Sequence, residues 1–144
     1  MKKRILTLAA ILLFGFSAFA QNGITKFEQL PAKSQEFIKT YFKDYKISYI
    51  LADREFADVD YKVRFEDGTE IEFNAKGDWT DVSGKKNCIP TEFILKEITD
   101  YVNAYHNDLC ITDIEREFNR ITVELSNNLE IEFNSKGRLI SYDD

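Results

Sequence analysis

Behind Pro31 the apolar residues Phe37, Ile38, Tyr41, Phe42 and Tyr45 recur three and four positions apart. Behind Pro90 the same spacing returns at Ile94, Leu95, Ile98, Tyr101, Val102 and Tyr105. This is the period of an amphipathic helix, with Lys39, Lys43, Lys96 and Asp100 left for water. Each run follows an apolar residue and a proline, Leu30-Pro31 and Ile89-Pro90. Proline lacks the N–H that would be unpaired in a first turn, so both prolines are expected to open helices of roughly three to four turns. The period then drops to two. Tyr61, Val63 and Phe65 alternate with Lys62, Arg64 and Glu66, and Ile71 and Phe73 with Glu70 and Glu72. Ile121, Val123 and Leu125, then Ile131 and Phe133, repeat the pattern. Asp67-Gly68 and Asn127-Asn128 mark hairpin turns between these strands. Ile47 with Ile50, and Ile111 with Ile114, predict one further strand before each hairpin. Trp79 and Leu139 fall on short final strands.

The two stretches are copies of one pattern. Glu70-Ile71-Glu72-Phe73-Asn74-Ala75-Lys76-Gly77 returns sixty residues later as Glu130-Ile131-Glu132-Phe133-Asn134-Ser135-Lys136-Gly137, with seven of eight residues identical. A period this long makes each copy a supersecondary unit. Ile47 and Ile111 lie 64 apart instead, which assigns four extra residues to the second copy around His106 to Leu109. The expected fold is α+β: a tandem repeat, about residues 25–84 and 85–144, of one helix plus about four antiparallel strands. The strands form one continuous antiparallel sheet with both helices on one face and the other face solvated.

The first twenty residues have the makeup of a signal peptide: basic Lys2, Lys3 and Arg4, apolar Ile5 to Phe16, and Ala18-Phe19-Ala20 as the cleavage site. The apolar run is too short to span a bilayer, so no stable membrane anchor is expected after cleavage. Residues 21–144 form a single domain, periplasmic or secreted. Of 19 lysines and arginines three lie in the leader, so 16 face 25 acidic residues, a formal charge of −9. That balance repels phosphate backbones and disfavours nucleic acid as a partner. Cys88 and Cys110 are the only cysteines, and in an oxidising compartment such a pair is expected to form a disulfide.

These features resemble the PepSY-like family of exported bacterial proteins, whose fold is similar to the β-lactamase inhibitory protein. The residues that carry the resemblance are the Leu-Pro and Ile-Pro helix starts, Tyr61-x-Val63-x-Phe65, Asp67-Gly68-x-Glu70-Ile71-Glu72-Phe73, and the Asn-x-Lys-Gly-x-Trp turn ending at Trp79. It runs from about Phe27 to Tyr142. The second copy departs from the pattern at Asn127-Asn128 and at Leu139. The resemblance implies an inhibitory or regulatory binding role in the cell envelope. It brings no catalytic motif.

The residues themselves point away from an enzyme. No Cys-x-x-Cys, His-Glu-x-x-His or Gly-x-Ser-x-Gly occurs. The one histidine, His106, sits beside Asn107 and Asp108 in an expected loop. The acids of Asp53 to Asp60 lack the spacing of a calcium loop. Glu70, Glu72, Glu130 and Glu132 lie at period two on the expected wet face, where an ionised carboxylate is ordinary. No cofactor or metal is expected. The sharper lead comes from unlike residues at matching positions: Tyr49 pairs with Asp113 and Leu51 with Glu115. Tyr49, Leu51 and Trp79 are expected to form an apolar spot beside a charged ladder of Lys62, Arg64, Glu70 and Glu72, a contact surface for another envelope or secreted protein. The expected function is a non-enzymatic exported protein-binding module, an inhibitor or regulator of an envelope enzyme such as a peptidase. The alternative is a carrier or sensor of a small ligand or peptide held between sheet and helices.

Overall fold

A computed structural model describes residues 22–143. The expected signal peptide lies outside the described residues. Among them are nine strands: β1 (Gly23–Thr25), β2 (Ile47–Glu55), β3 (Asp58–Phe65), β4 (Glu70–Phe73), β5 (Trp79–Ser83), β6 (Ile111–Glu117), β7 (Arg120–Leu125), β8 (Glu130–Asn134) and β9 (Leu139–Asp143). They form one open antiparallel sheet in sequence order. A 3-10 turn (Phe27–Gln29) leads to helix α1 (Ala32–Tyr41), and helix α2 (Lys96–Tyr105) lies between β5 and β6. The fold is α+β, as expected, and β1 is an addition: three residues carry too little periodicity to be read from sequence.

Residues directly opposite one another in a ladder share a face. Ile50, Val63, Ile71, Val82, Ile114, Val123 and Ile131 are paired strand to strand, and all are buried. This is one apolar face, and both helices lie on it. Phe37 of α1 meets Phe73 edge-on at 5.7 Å, and Tyr101 of α2 meets Phe133 at 5.5 Å. Buried Ile38, Ile98 and Val102 complete the layer.

The helices begin differently from the sequence expectation. Pro31 sits one residue before α1, but α2 starts six residues beyond Pro90, at Lys96. Thr91 closes a turn with Ile94 first, which drives Phe93 against Phe37 and Trp79 and buries Ile94. Leu95, not Pro90, therefore stands where Pro31 stands. From there to the start of β6 the offset is 64 residues, it is 62 at the tip of the following hairpin, and it reaches 60 by the end of β7. The four extra residues thus belong to the first half, in the longer β2–β3 hairpin, and not to the segment around His106.

The repeated octapeptide has a structural cause. Asn74 Oδ1 accepts from the backbone N–H of Lys76 and Asp78, and Asn134 Oδ1 from those of Lys136 and Arg138. Gly77 and Gly137 both have positive φ and lie under the first turn of a helix. A Cβ on Gly77 would come within 2.8 Å of Pro31, and one on Gly137 within 2.7 Å of Glu97. Only glycine lets the helix settle onto its turn. Cys88 and Cys110 are joined, their Cα atoms 5.7 Å apart, tying the chain after β5 to the start of β6.

Candidate functional site

Two long rows run across the sheet on the face away from the helices. One row passes through Ile24, Leu51, Lys62, Glu72, Asp81, Glu115, Thr122, Glu132 and Ser141. The other passes through Tyr49, Arg64, Glu70, Ser83, Asp113, Glu124 and Glu130. Six of the seven expected contact residues, Tyr49, Leu51, Lys62, Arg64, Glu70 and Glu72, therefore stand side by side on β2, β3 and β4. Tyr49 is 38% exposed and Ile24 81%.

Trp79 does not join them. The pairing of β4 with β5 slips between Glu72 and Phe73, so that Asp81 opposes Glu72 but Trp79 opposes Phe73. The extra residue, Thr80, reverses the alternation and turns Trp79 to the helix side. There it stacks on Phe37 and meets Phe93 at 5.3 Å. A bulge has no reliable signature in sequence, and Asp81 takes the open-face position instead.

The charges on this face change across it. Lys62 bridges Glu72 at 2.7 Å, while Glu70 is held by Arg64 and, at 3.1 Å, by Lys85. Hydrogen bonding to Glu72 raises the Lys62 pKa. Partial burial pushes Glu70 up, but Lys85 and Arg64 outweigh it and leave its pKa lowered. Further along, the acids crowd one another. Asp81 lies between Glu72 and Glu115 in the row, and burial, then the charges of Glu72, Glu115 and Asp113, raise its pKa to about 6. Burial also raises Glu115, with Glu117 adding to it, and Glu124, with Asp113 adding to it. Arg120 pairs with Glu132 at 3.1 Å. The face thus runs from apolar, through alternating ion pairs, to a seam of acids at β5 and β6. Asp81 and Lys85 were absent from the expected ladder; the period-two pattern ends before the β4–β5 turn and could not reach them.

Among the described residues no group of three or more His, Cys, Asp and Glu is placed to hold a metal ion. His106 follows α2, its ring 5.9 Å from that of Tyr142. No described helix is long and apolar enough to cross a membrane.

The chain matches, over residues 59–141, the family described as "Putative beta-lactamase-inhibitor-like, PepSY-like". It is similar to a solved "putative calcium-regulated periplasmic protein" of Bacteroides thetaiotaomicron, with 32% identity, 85% of this chain and 97% of that one covered, and a TM-score of 0.82. A "putative periplasmic protein" of Bacteroides vulgatus is similar at 32% identity over 88% and 99% of the two chains, TM-score 0.81. A second Bacteroides vulgatus protein, "of unknown function", gives 31%, 86%, 100% and 0.79. No protein of curated function matches.

Proposed function

We propose that this chain, which belongs to the PepSY-like family, is a non-enzymatic exported module that binds another envelope protein on the open face of its first half. One observation carries the reading. Tyr49 and Leu51 occupy the sheet positions that Asp113 and Glu115 occupy in the second half, on the same wet face. A half-exposed tyrosine and leucine there cost solvation without adding to the core, and together with Ile24 they form a small apolar patch. The flanking pairs Lys62–Glu72 and Arg64–Glu70–Lys85 supply the charged rim that gives such a contact its register.

The domain is read as two tandem repeats, about 25–84 and 85–144, in which the first copy is specialised for contact. The relatives described as periplasmic support export to that compartment. The family's description as β-lactamase-inhibitor-like agrees with an inhibitory role, and the reading extends it to an inhibitor or regulator of an envelope enzyme such as a peptidase. Calcium regulation belongs to the name of the Bacteroides thetaiotaomicron relative and is not carried over.

The test is recovery of an envelope partner by tagged wild-type protein and by Tyr49→Asp with Leu51→Glu, which converts the patch to the second half's residues. The double variant is expected to fold and to lose the partner. Undiminished recovery would contradict this site.

A further inference from the structure

On the helix side the two halves differ as well. A cavity of about 290 Å³ opens between the start of α2 and the β6–β7 hairpin, with Trp79, Phe93, Leu95, Ile114, Ile121 and Arg116 among its walls. A shallower hollow of about 210 Å³ beside it shares Trp79, Phe93 and Arg116. At the matching points of the first half Ala52 stands for Arg116 and Tyr61 for Ile121. Ala52 is buried and Tyr61 packs on the core, and Ile121 is buried as well, so a small residue with a large aromatic in one copy has become an arginine with a smaller aliphatic in the other.

Arg116 is held in place. Its guanidinium lies 4.3 Å from the centre of the Trp79 ring and donates to the Trp79 carbonyl at 2.6 Å. Among the described residues it has no carboxylate partner within ion-pair distance; the neighbouring Asp78 is taken by Lys33. A guanidinium has five N–H donors, and most of these remain for a ligand. A fixed arginine at an apolar hollow is complementary to an apolar group that ends in an oxyanion, and a carboxylate is the form of it that stays compact and carries a single charge. We propose that this cavity binds such a carboxylate, with Arg116 taking the anion and Trp79, Phe93, Leu95 and Ile121 the apolar part. The site lies across the sheet from the docking face and does not depend on it.

Trp79 is the only tryptophan, so its emission reports on this wall alone. The full-length protein is titrated with phenylacetate, with N-acetyl-alanyl-phenylalanine and with the carboxamide form of that peptide, and the heats are measured in parallel. At least one carboxylate is expected to bind saturably. The amide, and Arg116→Gln with the carboxylate, are each expected to bind at least about tenfold more weakly, the usual cost of a lost charged hydrogen bond. Lys62→Gln, on the opposite face, should bind as wild type. Binding of the peptide alone supports the proposal and assigns the site to the carboxyl ends of peptides. Equal binding of phenylacetate supports it for small apolar acids. The proposal is overturned if neither carboxylate saturates, if the amide binds equally, or if a folded Arg116→Gln protein binds unchanged.

Discussion

In the first half the open face begins with Ile24, Tyr49 and Leu51 and continues into paired charges; in the second, Asp113 and Glu115 hold the matching positions and the acids outnumber their cations. The helix side diverges too, with Ala52 against Arg116. What the halves share is the frame: the helix seated on an Asn-x-Lys-Gly turn, and the buried ladder from Ile50 to Ile131. Within the repeated octapeptide the asparagine and glycine answer to the turn's backbone geometry and the isoleucine and phenylalanine to the core, so those matches say little about binding. Function is to be sought where matching positions disagree.

Exchanging frame residues between halves should break the protein most. Ser34, buried, donates to the Gly77 carbonyl, while its counterpart Ile98 is fully buried against the sheet. Ile98→Ser is expected to cost about 3–5 kcal/mol in denaturant unfolding, through lost burial and a residual cavity. A cost below about 1 kcal/mol would mean the halves are not distinct in the core. Next comes the disulfide, found only in the second half. Its ends are 22 residues apart, so replacing both cysteines by serine should cost about 3 kcal/mol. Denatured, unreduced wild-type protein should titrate no free thiol.

A smaller effect is expected at the acidic seam, with the opposite sign. An aspartate normally ionises near 3.8, and Asp81 in the folded chain near 6. The folded state thus binds the proton more tightly. The stabilisation this gives is complete below about pH 4 and is lost as pH rises through 6. At pH 7 the ionised group is a net penalty, at most about 3 kcal/mol for the full shift. Asp81→Asn should therefore stabilise at pH 7 by roughly 1–2 kcal/mol, after discounting for partial exposure. That gain should shrink toward pH 4. A gain independent of pH would exclude the raised Asp81 pKa, set by burial and then by its acidic neighbours, as its cause. Glu70, whose pKa is lowered by its two cations, contributes stability above the ordinary carboxylate range that is lost on acidification.

Much of this was legible in the sequence, for identifiable reasons. Strict alternation in Tyr61–Phe65 and Ile71–Phe73 assigned the correct face to Lys62, Arg64, Glu70 and Glu72. Asp67-Gly68 forms its turn with Gly68 at positive φ. What escaped were local irregularities, from one residue to several, that shift register or element starts. Thr80 in its bulge sends Trp79 to the helices. The long β2–β3 hairpin, tipped by exposed Phe56, looks in sequence like an insertion elsewhere. Pro90 sits in a loop that the proline pattern alone cannot distinguish from a helix start. The cavity beside Arg116 had no signal in the sequence, because it depends on how the start of α2 meets the β6–β7 hairpin and not on any local pattern.

The most direct test of specialisation between the halves is photo-crosslinking in the native envelope from a single reactive residue, placed at position 49 in one protein and at position 113 in another. A discrete adduct with one protein from position 49, and none from position 113, is the expected result. Equal adducts from both positions, or an adduct from position 113 alone, would contradict it.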